Sequence, residues 1–110
     1  MSTNRFVMPL KAYLSGIKLL EGNLDYLEYL LREHTENFSP GAIRDLCYAF
    51  VALDQYRSYM VEDLSKSIVN NDNNVVLTQD DALTLQMYQE GMNDSLDSLS
   101  REHHIVLEKQ

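Results

Sequence analysis

A chain of 110 residues is one domain with room for a single core, and it carries a formal net charge of −8. Nine Lys and Arg against seventeen acids argue against a polyphosphate backbone or an anionic membrane surface as the main partner, because both need clustered positive charge. Cys47 stands alone and forms no intrachain disulfide, the longest apolar run (Leu46 to Leu53) falls far short of the roughly 20 residues that span a bilayer, and the N-terminus lacks a signal-peptide core. The expected setting is the cytoplasm.

Met1 to Pro9 reads as a flexible arm, with Pro9 at the mouth of a first helix over about 10–37. Leu10, Tyr13, Ile17, Leu20, Leu24, Leu27, Leu31 and His34 alternate spacings of three and four, as in a helix that packs along its length. Ser39 and Pro40 restart the chain as N-cap and first helical residue of a helix over about 40–69. Its apolar face is Ile43, Leu46, Phe50, Leu53, Met60, Leu64 and Ile68. The run Asn70 to Asn74 favours a turn, and Val75 to Leu77 is short and extended at best. Thr78 followed by Asp81 forms a capping box that opens a third helix over about 79–108, with Leu85, Tyr88, Met92, Leu96, Leu99, His103 and Val106 inward. The expected fold is all-α: three long helices in an up-down-up bundle, residues 10–110 forming one domain, with no β structure.

One stretch occurs twice. Residues 21–34 read EGNLDYLEYLLREH and residues 90–103 read EGMNDSLDSLSREH. On helices, Glu21, Asp25, Glu28 and Arg32 form one narrow stripe, and Glu90, Asp94, Asp97 and Arg101 form its copy. The plainest account is a solvated face with i,i+4 ion pairs, each worth a few tenths of a kcal/mol. The sharper account is a duplicated contact surface. Leu24 and Leu31 against Asn93 and Ser100 suggest that helix 1 is central and helix 3 peripheral. His34 and His103 should lie near the same end as Cys47, so the three are the candidate metal ligands, although packed histidines at helix C-termini explain the same positions.

Helix 2 carries a second strip, Tyr48, Ala52, Tyr56 and Tyr59, which suggests contact with another chain, the simplest assembly being a two-fold dimer. Arg57 interrupts the apolar face and must either snorkel to the edge or pair across an interface or with an anion.

Glu33 with Glu36, and Arg44-Asp45-Leu46 with the apolar run after it, resemble the two acidic pairs of the all-α nucleoside-triphosphate pyrophosphatases. That resemblance implies Mg²⁺-dependent nucleotide hydrolysis, but Ala42 stands where the pattern places a ligand carboxylate. The residues themselves lead elsewhere, to a non-enzymatic, cofactor-free protein that acts by contact with another protein or with itself, as an adaptor, regulator or inhibitor. The alternative is an acidic decoy that fills the basic groove of a nucleic-acid-binding protein through the two stripes.

Overall fold

The computed structural model describes residues 5–66, 68–69 and 72–107. In chain order these form β1 (Arg5–Pro9), α1 (Leu10–Glu33), a 3₁₀ turn (Thr35–Asn37), α2 (Pro40–Lys66), β2 (Ile68–Val69), β3 (Asn74–Thr78) and α3 (Gln79–His103). Three helices dominate, as the periodicity requires, in a molecule measuring 55 × 23 × 18 Å.

The helix starts follow from local chemistry. Pro9 is the last residue of β1 and the cap of α1, so strand passes into helix without a loop, and Leu10 N–H donates to Asn73 O at 2.9 Å. Ser39 Oγ accepts from Ala42 N–H at 3.1 Å, and Thr78 Oγ1 accepts from Asp81 N–H at 3.2 Å. Each satisfies one of the backbone donors that a helix start leaves open.

The ends were harder to foresee. Helix 2 stops at Lys66 rather than about 69, because Ile68 and Val69 join a sheet. Helix 3 stops at His103 rather than about 108. His104 takes a left-handed conformation (φ 58°) and Ile105 N–H returns to Leu99 O at 3.2 Å. Buried Ile105 supplies the apolar contact of this Schellman-type ending, which here lacks its usual glycine.

The expectation of no β structure is overturned. β1 and β2 both pair antiparallel with β3, in the order β1-β3-β2. Arg5 to Pro9 therefore form a strand and not a loose arm; residues 1–4 of that expected arm lie outside the described residues. β3 is the central strand, with Val75 and Leu77 buried, while Asn73 (φ 58°) turns the chain into it. The sheet gathers the start of α1, the end of α2 and the start of α3 at one end of the molecule.

The central helix is α2. It packs along α1 and, more extensively, along α3, whereas α1 and α3 form no comparable interface. This corrects the expectation that helix 1 is central. A middle helix must bury two faces, and α2 has small residues to let both neighbours approach: Ala42 and Ala49 are fully buried and Ala52 partly so. Its Leu53 is wholly enclosed, a burial worth about 1.5–3 kcal/mol. Tyr13 Oη donates to Met60 O at 2.7 Å, tying the start of α1 to the end of α2.

Candidate functional site

Two apolar strips on α2 read as one core face and one interface. Both are largely spent inside the chain. Tyr56 is only 6% exposed, and Tyr59 stacks on Tyr88 of α3 with ring centroids 4.4 Å apart. Tyr48 alone of the three tyrosines faces outward, 63% exposed, with Val51 beside it at 51%. Arg57 stays half-buried and donates from Nη2 to Asp54 Oδ1 at 3.0 Å on its own helix, the snorkelling outcome.

Tyr48 and Val51 form the lip of a groove of about 410 Å³ along the α2/α3 seam. Ala52 and Gln55 line it from α2 and Asp94, Ser95 and Ser98 from α3, with Asp45 at one end. The groove exists because α3 carries serines where the first copy of the repeat carries Tyr26 and Tyr29. Asp94 also borders a neighbouring depression of about 340 Å³ with Asp97, Ser100 and Arg101. Of the predicted interaction residues, the structure thus brings Tyr48 and Asp94 to one feature.

The other stripe residues lie apart from it. Glu21, Asp25 and Glu28 are exposed on α1, where Arg32 donates to Glu28. Glu90 is exposed and accepts from Gln86 Nε2 at 3.2 Å; Asp97 is half-buried.

His34, His103 and Cys47 do not converge. His34 Nε2 lies 2.8 Å from Tyr29 Oη on the same helix, with Asn37 against its other nitrogen. Cys47 is exposed. His103 Nε2 instead meets Asp45 Oδ2 of α2 at 2.8 Å, both side chains being less than one-fifth exposed. Among the described residues the cluster with metal-ligand proximity is Asp45, Glu102 and His103, whose ligand atoms lie within 4.8 Å of one another. Of the acids in the pyrophosphatase resemblance, Asp45 belongs to this cluster but Glu33 and Glu36 do not join it, and the Ala42 position is buried core.

Hydrogen bonding from His103, and secondarily the Arg44 charge, hold the Asp45 carboxyl below its ordinary range despite partial burial. The pair also suits both helices: a basic group at the α3 C-terminus and an anion in the early turns of α2. Sequence reasoning missed this partnership because nothing local marks Asp45 as facing another helix. It also missed Asp63, buried near the end of α2, whose carboxyl is raised first by burial and then by Asp81.

No protein-family model, curated protein or solved structure matches the chain. Among the described residues no helix is long and apolar enough to cross a membrane.

Proposed function

We propose that this chain acts by protein–protein contact, as an adaptor, regulator or inhibitor without a cofactor, in the cytoplasm. Its helices run up-down-up and present the α2/α3 seam to the partner. The observation that carries the reading is the Tyr48–Val51 lip over a groove floored by small residues. An exposed aromatic beside a shallow, mostly small-residue depression is the form in which interface anchors are found. Asp94 on the far wall favours a partner segment that combines an apolar anchor with a basic residue. Helix 2 of a second copy can occupy the seam only through Tyr48 and Val51, since Tyr56 and Tyr59 are committed inside the chain.

The test compares proteins captured by the tagged chain with those captured by Tyr48→Ala and by Tyr26→Ala, an exposed tyrosine on α1. A partner lost with Tyr48→Ala, at least about tenfold weaker, and kept with Tyr26→Ala supports the seam. Equal capture by all three would sink it.

The acidic-decoy reading is supported by a separate feature, the exposure of Glu21, Asp25 and Glu28 on α1 and of Glu90 and Asp94 on α3. It requires binding that fades as salt rises toward about 0.5 M and that fails on joint reversal, Asp25→Lys with Asp94→Lys.

A further inference from the structure

β1 is an edge strand: the order is β1-β3-β2, and among the described residues no strand lies beyond it. Its register shows what the free edge offers. Leu10 N–H bonds Asn73 O, and the pairing steps back through Pro9↔Asn74, Met8↔Val75, Val7↔Val76 and Phe6↔Leu77. Hydrogen-bonded and non-bonded pairs alternate along an antiparallel ladder, so Met8 and Phe6 bond to β3 while Arg5, Val7 and Pro9 turn their main-chain groups outward. Pro9 has no N–H to give, leaving Val7 as the central donor and acceptor of the open edge.

The side chains are also left unfinished. Phe6 and Met8 share a face with their opposite numbers Leu77 and Val75, both buried, and so point to the helix side of the sheet. Yet they remain 49% and 42% exposed. They rim a groove of about 360 Å³ floored by Tyr13, Tyr56 and Met60, and no charged residue lines it. In a chain of net charge −8, the first acid is Glu21; the segment holding β1 has Arg5, Lys11 and Lys18 and no Asp or Glu.

We propose that a second copy of this chain covers the edge, its β1 pairing antiparallel with the first about a two-fold axis through Val7. The strand is self-complementary under that operation. Val7 faces the partner's Val7 and exchanges two N–H···O bonds with it. Phe6 falls opposite the partner's Met8, and Met8 opposite the partner's Phe6, so each half-exposed side chain gains cover and the rings gain sulfur contacts. Arg5 N–H reaches the partner's Pro9 carbonyl at each end of the ladder, and the missing proline donor falls at the ladder's margin. No acid meets an acid. A foreign strand would have to bring matching side chains of its own, whereas the two-fold supplies them from this chain and closes the edge against further addition. This contact uses none of the seam residues around Tyr48.

The test is cross-linking and sedimentation of the full chain. In a Cys47→Ser background, Val7→Cys places two thiols on a pair whose Cα separation is about 5.5 Å, within disulfide range. A linked dimer should form at least about tenfold faster than with Tyr48→Cys. The unmodified chain should sediment as a reversible dimer that Val7→Pro weakens at least about tenfold and Tyr48→Ala leaves unchanged. Val7→Pro removes an outward donor and no bond to β3, so the melting temperature of the monomer, read at the dilute end of the range, should hold; if it falls, the cross-linking comparison decides. A monomer throughout about 1 µM to 1 mM, equal linkage through Tyr48→Cys, or a dimer sensitive to Tyr48→Ala instead, would overturn the proposal.

Discussion

His34 and His103 close the two copies of the repeated stretch, yet they end on different partners because of the residue five places earlier. In the first copy that residue is Tyr29, whose hydroxyl and ring edge take up His34; in the second it is Ser98, too short to do so. His103 crosses to Asp45 on α2 instead. The folded state holds the Asp45 proton less tightly than the unfolded chain. Its stabilising contribution is therefore complete above the ordinary aspartate value of 3.8 and is lost as pH falls through its lowered folded value. Asp63 has the opposite sign: burial raises its pKa, so stability declines as pH rises from 3.8 through its raised value. Thermal melts across pH should show the His103→Ala deficit largest above the aspartate range and shrinking in acid. Asp63→Asn should gain stability toward neutral pH. A deficit or gain that does not vary with pH would refute these assignments.

Element boundaries were legible wherever the signal was local. Ser39-Pro40 and Thr78-x-x-Asp81 are caps in the structure as in the sequence, and the three-four spacing of α1 is its buried stripe from Tyr13 to Leu27, after which Leu30 rather than Leu31 is buried. Boundaries set by distant partners were not. β1 pairs with a strand on the far side of two helices, and its alternation means nothing until β3 is beside it. The α3 ending rests on a left-handed His104, a position where glycine is the usual sign. The repeat adds a matched pair of sites at this scale: Gly22 and Gly91 are both exposed, and a Cβ on either meets nothing within 4 Å. Gly22→Ala and Gly91→Ala should each stabilise the chain by about 0.5–1 kcal/mol in urea denaturation, because only the unfolded state loses freedom. A loss at either position would show that its glycine serves a contact outside the chain.

At the scale of the whole molecule, the placing of α2 governs the rest. It explains why the second strip of α2 is mostly internal, why Tyr59 meets Tyr88, and why only Tyr48 and Val51 remain as an outward lip. A helix shared by both neighbours also couples them. Leu53→Ala, at its wholly buried centre, should cost about 2–5 kcal/mol and shift a single denaturation transition with unchanged slope. Two separate transitions would mean that α1 and α3 do not depend on a common core.

The sequence by itself determined the number and type of the helices, their starts, most of the inward stripe of α1 and, Asp97 excepted, the outward acids of the repeat. All of these depend on spacing and capping within a few residues. Tertiary structure decided which helix lies in the middle, that Asp45 receives His103, that β1 exists, and that a groove opens between Tyr48 and Asp94. Each of those joins residues far apart in the chain. The rotation and approach that join them are set by side-chain volumes on facing helices, alanines on α2 and serines on α3, and no single helical period records such a match.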